Sequence, residues 1–279
     1  MKRLILAALL ASLAAAQGIP GIRSVAPTVA PAITVKATTG AQSTDGLSVT
    51  TPAIDATGGN LILVGVAYYG LNIIPACGNN GGYGSGTPLT AAQISDSTGS
   101  NTYTKVWTNA NQGVEPSQSA LFCVGAPSVS SSMTFSVNSP GSQTCFPAIA
   151  VLVLSNTGAT SGNCGTDQVG GDGNGNGGSE VFTSGLILTP TQDNEILVSV
   201  LALGNTQTAL AIYDSPWPPP VSSFTISYAA VNTGAPTSGA FGIAMAYLIQ
   251  TTATANHAQW TWTGSQSNGA YSNMASFFQ

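Results

Sequence analysis

Short apolar runs recur along the chain, and clusters of Gly, Pro, Asn and Ser separate them. The runs are rich in Val, Ile, Thr and aromatic residues. Examples are Asn60–Tyr69, Ser119–Gly125, Pro147–Ser155, Asn194–Leu203 and Phe241–Gln250. Runs of this kind, bounded by turn residues at regular intervals, are typical of an all-β sandwich. The pattern predicts about 14 strands and almost no helix beyond the N-terminal segment, because the charged residues that would solvate the outer face of a helix are missing.

The strands are of two kinds. His257–Thr263 and Ser132–Asn138 alternate apolar and polar residues, as half-exposed strands do. Leu61–Val66, Ala148–Leu154 and Ile196–Leu203 are apolar at nearly every position. Such runs indicate strands covered on both sides, or central strands with a long loop over the outer face. We therefore expect a two-sheet antiparallel β-sandwich.

The first 16 residues have the layout of a secretory signal peptide. Lys2 and Arg3 precede the apolar stretch Leu4–Ala15, and small residues lead up to a cleavage site before Gln17. The stretch is shorter than the roughly 20 apolar residues that span a bilayer, and no other segment reaches that length. The sequence thus predicts a signal peptide over 1–16 and an exported chain over 17–279, extracellular or periplasmic and with no membrane span.

The composition excludes several classes of protein. Charged residues make up 5% of the chain, against about 25% in a typical domain. Five Lys and Arg face ten Asp and Glu, which is too little positive charge for a nucleic-acid binder. Export would remove Lys2 and Arg3, so three basic residues would remain against ten acidic ones, a net charge of −7. We expect an exterior of hydroxyl and amide groups.

Segments of the two halves of the chain resemble each other. Gly59–Val66 is similar to Asn194–Leu201. The similar segments of the two halves are separated by roughly 125–135 residues. The later segments repeat in the same order: Leu121–Pro127, Met133–Val137 and Pro147–Leu154 match Ala244–Gln250, Ala258–Thr263 and Tyr271–Phe278. This pattern fits two small sandwiches, or one sandwich with similar halves over about 30–158 and 180–279. Since no convincing linker separates the halves, we expect one domain over 17–279.

Four cysteines, Cys77, Cys123, Cys145 and Cys164, are read as disulfide-bonded in an exported protein. No CxxC pair is present, and three connectivities exist. Cys77 and Cys164 both lie in Gly- and Asn-rich sequence, whereas Cys123 and Cys145 flank apolar strands. We favour Cys77–Cys164 and Cys123–Cys145, and the other two connectivities stay open.

The chain carries few groups that could perform catalysis. His257 is the only histidine, and the chain has no GxSxG nucleophile motif. Glycoside hydrolysis needs two facing carboxyls, and the sequence leaves Asp96, Asp167, Asp172 and Asp214 as acids that folding could bring together. No catalytic residue is assigned.

A Gly-rich segment resembles the start of a calcium-binding loop. Asp172, Asn174, Asn176 and Glu180 provide oxygen ligands, the first three at alternating positions. The segment departs from that pattern because Glu180 comes three residues before the expected bidentate acid. Calcium is the one ion that the sequence suggests, and a flexible Gly and Asn loop is the alternative.

Aromatic residues in loop sequence are candidates for sugar binding. Tyr213, Asp214 and Trp217 belong to a segment rich in prolines, and Tyr83 lies in another Gly-rich loop. Exposed rings on a stiff loop stack on sugar faces at a low entropy cost. Trp260 and Trp262 share one face of a predicted strand and are expected in the core.

The order of several segments resembles that of a known group of proteins. Gly58–Gly70, Ile94–Val106, Ser119–Val137 and Pro147–Gly158 together are similar to secreted bacterial β-sandwich proteins of jelly-roll or concanavalin-like architecture. The most specific part is the turn Asp96–Tyr103. The resemblance implies a jelly-roll-type sandwich and export, and it assigns no activity.

Three classes of function follow. The first is a secreted, non-catalytic sandwich that binds polysaccharide or another extracellular surface. The second is a polysaccharide hydrolase or lyase that uses paired acids, and the third is a self-associating structural subunit of a cell surface or filament.

Overall fold

The computed structural model describes residues 31–43, 48–69, 90–108, 117–138, 145–174, 181–204, 208–213, 224–230, 241–263 and 270–279. Ala32–Gln279 forms one compact unit. Within the described ranges, none of the helical structure has the length and apolarity that crossing a membrane would require.

The described residues form sixteen strands, and the predicted all-β class is confirmed. The first eight are β1 (Thr34–Gln42), β2 (Ser48–Thr50), β3 (Leu61–Tyr69), β4 (Ile94–Asp96), β5 (Thr104–Thr108), β6 (Ser117–Gly125), β7 (Phe135–Asn138) and β8 (Cys145–Ser155). The second eight are β9 (Thr166–Asn174), β10 (Val181–Leu188), β11 (Glu195–Gly204), β12 (Thr208–Tyr213), β13 (Thr225–Ala230), β14 (Phe241–Gln250), β15 (Asn256–Thr263) and β16 (Ala270–Phe278). One turn of 3-10 helix, Ala91–Gln93, precedes β4.

The two sets of eight strands have the same topology. The first set forms a five-stranded sheet, β1-β8-β3-β6-β5, and a three-stranded sheet, β2-β7-β4. The second set forms β9-β16-β11-β14-β13 and β10-β15-β12, which is the same order with eight added to each number. The pairing of first with last strand and of second with seventh is that of a jelly roll. The segments of the two halves that are similar in sequence form strands at equivalent positions of the two sets.

The four sheets form four layers with a separate core between each neighbouring pair. Leu63 and Leu152 of the first five-stranded sheet pack against Val198 and Met245 of the second in the central core. The outer face of each five-stranded sheet packs against the three-stranded sheet of its own half. The predicted pair of antiparallel sheets therefore occurs twice, once in each half.

The four layers explain the strands that are apolar on both faces. In β3, Leu61 and Leu63 face the central core, whereas Ile62 and Val64 face the outer core of the first half. All four are fully buried. A strand covered on both faces carries apolar residues at successive positions instead of alternating apolar and polar ones, because water reaches neither face.

The disulfide pairing differs from the expected one, since Cys123 bonds to Cys164. The predicted pairs Cys77–Cys164 and Cys123–Cys145 are wrong. Cys123 is paired in register with Leu63 of β3, whereas Cys145 is paired with Tyr69 at the other end of that strand. At about 3.3 Å per residue, this separates the two cysteines by roughly 20 Å, far beyond the reach of a disulfide.

Two glycines let the central sheets approach each other at their edges. A Cβ atom on Gly40 of β1 would lie 2.5 Å from Cδ1 and Cζ of Tyr228 in β13. A Cβ atom on Gly171 of β9 would overlap the indole of Trp107 in β5. Strand registers make Gly40 the counterpart of Gly171, and Tyr228 the counterpart of Trp107. An aromatic ring of each half thus covers a glycine of the other, which indicates an approximate twofold relation.

Candidate functional site

An open cavity of about 280 Å³ lies where the first half of the chain meets the second. We call it the junction cavity. Its walls come from β5, from the end of β6, from the connection between β8 and β9 and from the first residue of β9. The lining residues are Thr104, Lys105, Val106, Cys123, Gly162, Asn163, Cys164 and Thr166.

The connection that forms one wall is held by several independent contacts. Thr160 and Asn163 exchange two backbone hydrogen bonds of 2.8 and 2.9 Å, and the Asn163 side-chain oxygen accepts a further one of 2.9 Å from the Gly165 N–H. At Gly125 of β6 this turn comes so close that a Cβ atom would overlap the carbonyl oxygens of Thr160 and Asn163. The Cys123–Cys164 disulfide ties the same segment to β6. The wall is therefore preorganised.

The lining combines polar and apolar groups. Thr104 and Thr166 provide hydroxyls and Asn163 provides an amide, beside Val106 and the Cys123–Cys164 disulfide. Hydroxyl and amide groups on a rigid frame suit a small ligand that is rich in oxygen. No carboxylate belongs to the lining residues.

Two carboxyls, which we call the acid pair, meet at the start of the second half. Asp167 of β9 lies close enough to Glu195, the first residue of β11, for each carboxyl to influence the pKa of the other. Asp167 accepts hydrogen bonds from the backbone N–H of Thr191 at 2.6 Å and from its hydroxyl at 2.8 Å. Glu195 is 0% exposed, and its oxygens meet no donor of the described residues in good hydrogen-bond geometry.

The environment shifts the pKa values of Glu195 and Asp167 in opposite directions. Burial raises the pKa of Glu195 above its usual value, and the Asp167 charge adds to that rise, whereas the Ser276 hydroxyl opposes it. Burial also acts to raise the pKa of Asp167, but the hydrogen bonds from Thr191 outweigh it, so the pKa of Asp167 is lowered. A protonated Glu195 beside an ionised Asp167 is the state that this arrangement favours.

The acid pair does not have the geometry of a glycosidase. Such enzymes hold two carboxyls about 5–5.5 Å apart, or about 6.5–9.5 Å apart, so that sugar or water fits between them. Here Glu195 is fully buried, so a sugar cannot reach its carboxyl. The counterpart of Glu195 in the first half is Asn60, whose side chain bonds Thr157, so the fold itself does not require an acid at this place.

The Asp96 carboxylate accepts the hydrogen bonds that hold the turn after β4 together. One carboxylate oxygen accepts bonds from the Thr98 N–H at 2.9 Å and from the Thr98 hydroxyl. The other accepts from Asn101 Nδ2 at 3.0 Å and from the Tyr103 hydroxyl at 2.7 Å. With four donors already bound, Asp96 stabilises the turn, and we assign it no part in catalysis.

Most residues expected to bind sugar lie outside the described residues. These are Tyr83, Asp214 and Trp217, and of Tyr213 the structure describes the strand backbone alone. Trp260 and Trp262 are buried in the outer core of the second half, as predicted, at 0% and 4% exposure. Of His257, the backbone in β15 is described.

The suggested calcium ligands have an extended backbone where the structure describes them. Asp172 and Asn174 belong to β9 and pair with Ser272 and Ala270 of β16, so this part of the Gly-rich segment is a strand. Asn176 and Glu180 lie outside the described residues. Among the residues described, no group of three or more His, Cys, Asp or Glu side chains is placed to hold a metal ion.

The sequence analysis named Asp167 among the acids that folding could bring together, but it identified neither Glu195 as its partner nor the junction cavity. Asp167 and Glu195 are 28 positions apart in the sequence, and nothing in the local pattern indicates that β9 and β11 bring them together. One signal was available, because Glu195 begins an otherwise apolar strand that is covered on both faces. Comparison with known proteins found no matching family, no curated protein and no solved structure.

Proposed function

We propose that this is an exported, non-catalytic β-sandwich protein that binds polysaccharide or another extracellular glycan surface. The observation that carries the proposal is the junction cavity, whose rigid wall presents hydroxyl and amide groups. Sugars are bound by such groups because each sugar hydroxyl both donates and accepts hydrogen bonds. The low charge of the whole chain agrees with an uncharged polar partner.

The second half contributes a further argument from chain length. Seven residues connect β4 to β5, whereas eleven connect the equivalent strands β12 and β13. The longer connection contains Asp214, Trp217 and four prolines. Extra length at one copy of a repeated turn indicates a role beyond holding the fold, since binding residues concentrate in loops on a rigid scaffold.

Two alternatives receive less support. A hydrolase needs two acids that its substrate can reach, and Glu195 of the acid pair is fully buried. A filament built through the edges of the first five-stranded sheet would have to pair strands that carry lysine, since Lys36 and Lys105 lie on its edge strands β1 and β5. Lysines on edge strands oppose such pairing.

Binding to a panel of insoluble and soluble glycans tests the proposal. The comparison is between the unmodified protein, Trp217→Ala and the double variant Thr104→Val/Thr166→Val, which removes two cavity hydroxyls and keeps their shape. Thr102→Val is the matched control, because Thr102 is exposed and outside the lining. Glycan retention that either test variant weakens and the control keeps would support binding. Release of reducing ends that Asp167→Asn abolishes would instead establish a hydrolase.

A further inference from the structure

We propose that the junction cavity binds an N-acetylated sugar residue, whose acetamido methyl group packs on Val106 and the Cys123–Cys164 disulfide. This inference rests on the proposed function and narrows it to one chemical class of sugar. It depends on which side chains face the cavity, on the apolar patch among them and on a comparison with the same place in the second half.

Strand registers show which threonines face the junction cavity. Thr104 of β5 is in register with Cys123 of β6, which belongs to the central core. Thr166 of β9 is in register with Phe277 of β16, which belongs to the same core. Residues directly opposite each other in an antiparallel pair point to the same face of the sheet. Both threonine side chains therefore lie on the side of the disulfide.

The groups on this side of the sheet are uncharged. Lys105 is in register with Phe122 of the outer core, so its side chain leaves the opposite face of β5. Asn163 lines the cavity, and its side-chain oxygen already accepts the Gly165 N–H, which leaves the amide N–H groups as donors. Hydroxyls and an amide without a neighbouring charge favour a neutral ligand that both donates and accepts hydrogen bonds.

An apolar patch lies among these polar groups. Val106 is the extra residue of the β5 bulge and packs against the central core, to which Cys123 and Cys164 also belong. All three line the junction cavity. An acetamido group joins a methyl to an amide, so it matches an apolar patch flanked by hydroxyl and amide groups. A hydroxyl pressed against the same patch would lose water without gaining a partner.

The second half shows that the fold does not itself require this lining. Strand register gives the counterparts of three lining residues as Tyr247 for Cys123, Ser227 for Val106 and Val35 for Thr166. Tyr247 packs against the central core, and the Ser227 hydroxyl donates to the Met245 carbonyl oxygen at 3.0 Å. Where the second half places an aromatic ring, the first half has a small disulfide beside a cavity of about 280 Å³. That volume is just below the range of drug-sized pockets and suits one sugar ring.

The test is isothermal titration calorimetry of the full chain without the predicted signal peptide. Chitotetraose and cellotetraose are the probes, because they share ring and linkage and differ in carrying an acetamido group or a hydroxyl at the same carbon. Val106→Ser and Thr166→Val are the test variants, since the second half carries Ser227 and Val35 at the same places. Thr102→Val is the matched control, because Thr102 is exposed and outside the lining. Circular dichroism confirms that every variant is folded.

We expect chitotetraose to bind about 10-fold more tightly than cellotetraose, since the methyl group and the amide each add a contact. Val106→Ser should reduce that preference to about threefold or less, because a hydroxyl replaces the apolar contact. Thr166→Val should weaken chitotetraose binding about 3- to 10-fold, and Thr102→Val should leave it unchanged.

The outcomes separate this inference from the proposed function. Equal binding of the two probes, binding of unacetylated glycans alone, or a preference that Val106→Ser leaves intact would overturn the inference while glycan binding itself stands. Unchanged chitotetraose binding by Thr166→Val would likewise overturn it, because the sugar would then lie elsewhere. If neither probe nor any glycan of the wider panel binds, the inference and the proposed function both fall.

Discussion

Replacing Gly40 with Ala tests how the two halves pack together. The backbone of β1 is extended at this position and accepts alanine. The new methyl group, however, would lie 2.5 Å from two ring atoms of Tyr228. Real Cβ atoms do not approach heavy atoms so closely, so either the ring or the strand must shift.

Overpacking of this kind costs about 1–3 kcal/mol. For a unit of this size, each kcal/mol lowers the melting temperature by about 2–4 °C, so we expect a decrease of about 2–12 °C. Tyr228→Ala removes a half-buried ring and is destabilising by itself. In the double variant the methyl group enters the space that the ring has left. The two changes should therefore cost less together than their sum.

The assay is a double-mutant cycle of thermal and urea unfolding, followed by circular dichroism. The cycle cancels the intrinsic effect of changing glycine to alanine. Gly171→Ala with Trp107→Ala repeats the experiment at the equivalent contact of the other half. Additive energies within about 0.5 kcal/mol at both contacts would refute the packing that we describe.

Three further predictions concern the disulfide, the acid pair and the Asp96 turn. The double variant Cys123→Ala/Cys164→Ala should lose about 4 kcal/mol of unfolding free energy, because the bond closes a loop of 41 residues. Peptide mapping without reductant should find Cys123 joined to Cys164, and a bond from either of them to Cys77 or Cys145 would contradict the structure. The raised pKa of Glu195 means that its protonated form is the more stable in the folded state, so stability should fall as pH rises above about 4.5, the value of the unfolded chain. Glu195→Gln should remove that slope and add about 1–3 kcal/mol near pH 8, and a parallel pH profile would contradict a buried protonated acid. The pKa of Asp167 is lowered, so the ionised Asp167 carboxylate stabilises the folded state above about pH 3.8. This stabilisation should be lost as the pH falls further, so stability should also decrease at low pH. Tyr103→Phe should cost about 1.5–3 kcal/mol in urea unfolding, because the buried hydroxyl donates to the Asp96 carboxylate at 2.7 Å, and an unchanged midpoint would show that this bond stabilises nothing.

Several elements were predictable from residues alone. Leu61–Val66 and Ile196–Leu203 indicate strands covered on both faces, and they form the middle of the two central sheets. The Trp260 and Trp262 pair follows from the two-residue period of a strand, which places both rings on one face. Such inferences succeed because they depend on neighbours in the chain, whose geometry the backbone restricts.

The pairing of cysteines was not predictable in this way. Cys123 and Cys145 both flank apolar strands, and this local similarity suggested a bond between them. Register places them at opposite ends of β3, and the connection after β8 brings Cys164 to Cys123 instead. The acid pair, the junction cavity and the contact between Gly40 and Tyr228 likewise join residues from strands that are distant in sequence.

The amino-acid sequence alone therefore determined the all-β class, the strands that water cannot reach and the scarcity of charge, because these depend on local period and on composition. The tertiary structure decided that two eight-stranded units stack through their larger sheets, which cysteine meets which, and where Lys105 and Glu195 lie relative to other groups. The physical reason is that a strand specifies which of its faces is apolar, whereas its partner is selected by register and by the fit of large side chains over glycines across the interface.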